Sequence, residues 1–120
     1  MAKKILVVDD AAFMRMMIKD TLIKNNLGEV EEASDGEQAV ARYEELKPDL
    51  VIMDITMPNK DGLEALRDIK ASHPEARIVM CSAMGQEAMV VEAIKLGATD
   101  FIVKPFKPDR IIKAVTDVLK

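Results

Sequence analysis

Two stretches decide the fold: Ile5-Leu6-Val7-Val8-Asp9-Asp10 and Leu50-Val51-Ile52-Met53-Asp54. Each is a short unbroken apolar run that ends in carboxylates. Runs this short and this apolar read as strands buried on both faces, the kind found in parallel sheets. In an open parallel sheet, ligands bind in the crevice at the carboxyl ends of the strands. If the two strands are neighbours, Asp9, Asp10 and Asp54 meet at one mouth. Like charges that close cannot all stay ionised cheaply. A positive partner is needed, and a hard divalent cation such as Mg²⁺ suits an all-oxygen donor set.

Outward from these runs, strand and helix patterns alternate. Strand patterns fall at 4–8, 29–33, 50–54, 77–81 and 100–103, with helix patterns at about 11–26, 36–46, 62–72, 85–96 and 108–119. In the first helix Met14, Met17, Ile18, Thr21 and Leu22 follow the i, i+3, i+4, i+7 spacing of a core-facing stripe. Val90, Val91 and Ile94 with Ala88 and Ala98 predict a small-residue packing face on the fourth. Ser34-Asp35-Gly36, Asp61-Gly62 and Pro108-Asp109 carry helix-start chemistry. Lys47-Pro48, His73-Pro74 and Leu96-Gly97 carry stop signals. Repeated strand–helix units with apolar strands imply a doubly wound α/β sandwich, helices covering both faces of a parallel sheet. The acidic second strand, Glu29-Val30-Glu31-Glu32-Ala33, reads as an edge.

Composition narrows the function. The 120 residues suit one domain, 1–120, with its own core. A net charge of −4 argues against sequence-independent nucleic-acid binding. No apolar stretch approaches the roughly 20 residues of a membrane helix, and the first apolar run is too short for an export signal. With a single cysteine, a cytoplasmic protein without disulfides is expected.

The polar residues at strand ends define a chemistry. Asp9, Asp10, Asp54, Ser82 and Lys104 all stand at predicted carboxyl ends. Asp9 and Asp10 offer oxygen to Mg²⁺, and Asp54 can be both ligand and nucleophile, forming an aspartyl phosphate. Phosphoryl transfer needs mainly positioning and charge neutralisation on the equatorial oxygens. The Lys104 ammonium and the Ser82 hydroxyl supply both.

These residues, with Met53-Asp54-Ile55-Thr56-Met57-Pro58, Asp61-Gly62, Ser82-Ala83, Gly97-Ala98 and Lys104-Pro105-Phe106, resemble the response-regulator receiver domain along the whole chain, most closely its single-domain chemotaxis members. The resemblance implies a flavodoxin-like three-layer sandwich with strand order 2-1-3-4-5. It implies that Asp54 takes a phosphoryl group from a histidine kinase, with Asp10, Asp54 and the Thr56 carbonyl as Mg²⁺ ligands and Asp9 acting through water. Ser82 and Phe101 match the switch pair, Lys104 the lysine that meets the phosphoryl group, and Pro105 follows a cis bond in similar domains. The output face is expected at the fourth helix, fifth strand and fifth helix, around Phe101, with Lys95, Lys107, Arg110 and Lys113 flanking it. A flagellar motor switch protein is the expected target. A phosphatase is a further partner, and the protein itself is expected to be a monomer and not a metabolic enzyme.

Two positions depart from the common pattern. Phe101 lacks the hydroxyl of the tyrosine often found there. Met84 is apolar where relatives often carry a polar side chain. Because that position and Thr56 tune water access to the acyl phosphate, a long-lived phosphoryl group is expected. The alternatives are a phosphorelay intermediate and a receiver cut from a larger, DNA-binding regulator. A haloacid-dehalogenase-type phosphatase would want an aspartate where Thr56 stands, and a flavodoxin-like carrier would not place Asp9-Asp10 where a flavin phosphate binds. Cys81 reads as inert packing, His73 as solvated, and the nine methionines as core filler. Phe13, Met16 and Ile23 fall off the first helix's core stripe and read as partly exposed.

Overall fold

Successive side chains of a strand point to opposite faces, so a strand apolar throughout must be covered on both. The computed structural model, which describes residues 2–120, meets that demand with five parallel strands and five helices in alternation. The elements are β1 (Lys4–Val8), α1 (Ala12–Lys24), β2 (Glu29–Ala33), α2 (Gly36–Leu46), β3 (Leu50–Asp54), α3 (Gly62–Ser72), β4 (Ile78–Ser82), α4 (Glu87–Lys95), β5 (Asp100–Val103) and α5 (Pro108–Leu119). The sheet order is β2-β1-β3-β4-β5, so the acidic β2 is an edge, as its charge predicts.

The alternation divides the core in two. Leu6, Val8, Val51, Met53, Ile78 and Met80 pack against α2, α3 and α4. Ile5, Val7, Leu50, Ile52, Val79 and Cys81 pack against α1 and α5. Ile18 and Leu22 complete the second layer from α1, in agreement with the predicted stripe, while Phe13, Met16 and Ile23 face solvent. Only some methionines fill core: Met53, Met57 and Met80 are buried, and Met16, Met84 and Met89 are exposed.

Capping follows the sequence signals. Asp35 caps α2 by accepting from the Gln38 amide, and Asp61 forms a capping box with Glu64 on α3. Lys47 closes α2 in a left-handed conformation, and Gly97, with φ of 102°, turns the chain after α4.

Four expectations shift. β4 runs one residue later than 77–81, because its pairing starts with Ile78 opposite Val51 of β3 and ends with Ser82 opposite Val103 of β5, and Arg77 is left exposed at the strand start. α4 begins at Glu87, not 85, because Gly85 adopts a φ of 89° that ends the preceding turn. The packing face predicted for α4 forms only in part: Val90 and Ala98 pack against the core, whereas Val91 and Ile94 are 52% and 54% exposed and Ala88 faces solvent. His73 is likewise not simply solvated, since its Nε2 lies 2.7 Å from Glu44 Oε1 and its ring sits against Tyr43.

Exposure separates two otherwise similar residues. Ile52→Ala should cost about 2–5 kcal/mol by denaturant unfolding, because it opens a cavity in the middle of the sheet. Ile94→Ala, on the exposed side of α4, should stay within about 0.5 kcal/mol. Equal losses would contradict this division of the core.

Candidate functional site

Parallel pairing brings the strand ends into line. Val8 pairs with Met53, which sets Asp9 beside Asp54, and Asp54 pairs with Cys81 one strand further on. Lys104 follows β5, and its own amide donates to the Ser82 carbonyl at 2.7 Å. All the predicted strand-end residues therefore share one edge.

Asp9 is 2% exposed and Asp54 9%, while Asp10 is open to solvent. Oxygens of the three carboxylates lie within 4.8 Å of one another. The Lys104 ammonium bridges the two buried ones, 3.0 Å from Asp9 Oδ2 and 3.3 Å from Asp54 Oδ2. Asp9 Oδ1 accepts from the Ala11 amide at 2.9 Å. Its backbone carbonyl accepts from Arg15, which also pairs with Glu32.

The charges do not balance. At an effective dielectric of about 20, unit charges 3–5 Å apart interact by about 3–5 kcal/mol. Three carboxylates give three repulsive pairs, against two close contacts from one ammonium. Burial, joined by the Asp9 charge, pushes the Asp54 carboxyl above its ordinary range despite Lys104. For Lys104, burial acts downward, but the bond to Asp9 and the Asp54 charge outweigh it and raise the ammonium's pKa. The cluster holds one cation and has room for the charge of another. Its carboxylate-only donor set fits a hard divalent cation.

Two loops flank the mouth. In the β3–α3 loop, Gly62 passes so close beneath Asp54 that a Cβ would run into the Asp54 carbonyl. Asn59, with φ of 66°, donates to the Asp35 carboxylate at 2.9 Å, and Lys60 accepts from the Gly36 amide at 2.8 Å. Asp35, held below the ordinary carboxylate range by the Gln38 amide and by Asn59, thus ties this loop to α2. In the β4–α4 loop, Gln86 accepts from the Ala83 amide at 2.6 Å and donates to Thr56 Oγ1 at 2.8 Å.

The structure brings Asp9, Asp10, Asp54 and Lys104 together. It sets Thr56 on the β3–α3 loop and Ser82, buried, at the carboxyl end of β4. The Lys104-Pro105 bond is cis. Phe101 is half-buried between two grooves. One, of about 500 Å³, is lined by Ser82, Met84, Val90, Val91 and Ile94. The other, of about 550 Å³, is lined by Val103, Phe106, Lys107, Arg110 and Lys113. Met84 is 79% exposed and shields little in this form. The Cys81 thiol is buried and pushed up to about 12, which fits inert packing.

Sequence reasoning missed Gln86, Asn59, Asp35 as a loop anchor, and Arg15. Asp35 was legible as a helix cap, but nothing in a linear pattern pairs it with Asn59. Arg15 had a faint signal in the unpaired acids of β2.

The chain matches the family model for the response regulator receiver domain over residues 5–116. It is 60% identical over 119 residues to the chemotaxis protein CheY of Bacillus subtilis, covering 99% of each chain. It is 56% identical over 120 residues to CheY of Thermotoga maritima, covering 100% of each. Among solved structures, NtrX from Brucella abortus aligns with a TM-score of 0.92 at 40% identity, over 99% of this chain and 27% of that one. The receiver domain of NtrX, solved on its own, aligns at 0.90 over 96% of this chain and 97% of that one.

The charge imbalance has a measurable sign. A carboxyl whose folded pKa is raised destabilises the fold above that pKa, and the cost disappears as pH falls through it. Asp54→Asn should therefore raise stability at pH 7 by about 1–2 kcal/mol in the absence of divalent cations. The gain should shrink as pH falls into the carboxylate range, where Asp54 of the parent protein takes up a proton. Denaturant unfolding across pH checks this. A loss of stability at pH 7 would mean that the Lys104 contact outweighs the repulsion.

Proposed function

The chain belongs to the response regulator receiver family, and we propose that it is a two-component phospho-signalling switch in which Asp54 accepts a phosphoryl group from a histidine kinase. The observation that carries this reading is the single mouth where Asp54 meets two further carboxylates with Lys104 Nζ 3.3 Å from its Oδ2.

An Asp54 carboxylate oxygen attacks phosphorus as the P–N bond of the donor phosphohistidine breaks, and the electron pair leaves on the imidazole nitrogen. Asp10, Asp54 and the Thr56 carbonyl would hold Mg²⁺, with Asp9 acting through water, and the ion would neutralise charge on the phosphoryl oxygens. Lys104, already poised between Asp9 and Asp54, turns to the new phosphoryl group. Ser82 supplies a hydroxyl from the end of β4. Phe101 follows inward, and the output face changes by population shift. Met84 closes over the acyl phosphate in that state and slows its hydrolysis. The protein is a phosphoacceptor with self-catalysed loading and release, not a metabolic enzyme.

Likeness to two CheY chemotaxis proteins supports a flagellar motor switch protein as the target. The apolar groove at Phe101, with Lys107, Arg110 and Lys113 on its rim, suits an acidic amphipathic segment. Among the described residues no helix is long and apolar enough to cross a membrane. The alignment with one part of the longer NtrX chain supports a second reading, a receiver unit of a larger regulator.

Incubation with a small phosphodonor and Mg²⁺ should add one phosphoryl group by intact mass, lost in Asp54→Ala and without the metal. A gain that persists in Asp54→Ala would assign the acceptor elsewhere. The N-terminal peptide of a flagellar switch protein should bind on the order of tenfold tighter with Mg²⁺ and beryllofluoride present. No binding in either state would favour the larger-regulator reading. Met84→Asn should lose its phosphoryl group faster than the parent, and equal rates would remove the shielding role of Met84.

A further inference from the structure

The loop between β4 and α4 is thinly anchored. Ala83, Met84 and Gly85 are exposed, and a Cβ built at Gly85 would meet nothing within 4 Å. Against that background Gln86 makes two directed bonds. Its Oε1 accepts from the Ala83 amide at 2.6 Å, one residue after Ser82. Its Nε2 donates to Thr56 Oγ1 at 2.8 Å, two residues after Asp54. One side chain thus joins the loop that follows the acceptor to the loop that follows the switch serine. Gln86 supplies no side-chain cap to α4, so these bonds are not helix capping.

We propose that Gln86 is a positioning residue for the Asp54 reaction: a latch that holds the Ser82 loop to the Thr56 loop while Asp54 is unphosphorylated and must release as the phosphoryl group is accommodated. The inference rests on the acceptor reading above and adds a residue to it. The latch belongs to the unloaded form, since Lys104 is here spent on Asp9 and Asp54 themselves. A phosphoryl group on Asp54 grows into the space between the two loops. In the switch reading above Ser82 moves toward that group and carries the adjoining Ala83 with it, and the Ala83 amide is bonded to Gln86. The latch therefore stabilises the resting state selectively, and a ligand's affinity for the other state is lowered by whatever favours the first.

The test is calorimetric titration with beryllofluoride in saturating Mg²⁺, together with amide hydrogen exchange of the unloaded protein. Gln86→Ala should bind the phosphoryl mimic more tightly, by about threefold to thirtyfold, the worth of one or two neutral hydrogen bonds. Ala83 should exchange faster in that variant. Thr56→Val removes the other partner while keeping the Thr56 carbonyl, and should shift affinity in the same direction. The double variant should bind no tighter than Gln86→Ala alone, because both changes break one link. Unchanged or weaker binding by Gln86→Ala, or simple addition of the two effects, would overturn the latch. Failure of the parent protein to bind beryllofluoride would remove the acceptor reading, and the latch with it.

Discussion

The ammonium of Lys104, held between Asp9 and Asp54, is the interaction on which the site depends. Among the described residues it is the single cation in contact with these two carboxylates, and it comes from the far side of the sheet, after β5. Without it, β1 and β3 would present adjacent buried anions with no compensation, a cost of several kcal/mol per ion. With it, the cluster is stable enough to fold and still short of positive charge. That residual deficit suits the site to a divalent cation. Stability and function are set against each other here, as at many sites whose pKa values are perturbed.

The sheet delivers the carboxylates, but the loops determine what happens next. The β3–α3 loop is tied on one side to α2 through Asn59 and Asp35 and on the other to the β4–α4 loop through Thr56 and Gln86. Gly62 lets this loop turn directly beneath the Asp54 carbonyl. The acceptor side is thus braced by backbone and by a buried cap, whereas its side-chain link to the β4–α4 loop is the Gln86 amide. That asymmetry makes the β4–α4 loop the part that yields.

Much of this was legible in the chain. The apolar runs at Ile5–Val8 and Leu50–Met53, the acidic β2 and the helix-start residues each predict their element, because burial and capping are local in sequence. The carboxylate cluster was legible too, since parallel strands of similar length must align their ends. Position 86 carried no such signal: a glutamine three residues after Ala83 is an ordinary helix-start polar residue until Thr56 is placed opposite it. Part of the α4 face failed for a different reason. Helical spacing predicts which residues share a face, but not whether another element covers it. Val91 and Ile94 share a face that faces solvent, which periodicity alone cannot distinguish from core.

That exposed face and the latch belong to one energetic argument. Val91 and Ile94 remain open in the groove that holds Phe101. Moving a two-state equilibrium from 1:99 to 99:1 takes about 5.5 kcal/mol of differential binding. Two neutral hydrogen bonds from Gln86 contribute about 1–3 kcal/mol, enough to bias the resting state but not to lock it. In the proposed switch the remainder would come from charge, as Lys104 exchanged two carboxylates for a doubly charged phosphoryl group, and from apolar burial if a target covered the α4 face. A modest latch is what such a switch requires. A stronger one would consume the phosphoryl group's contribution, and none at all would leave the output face open to its target before any signal arrived.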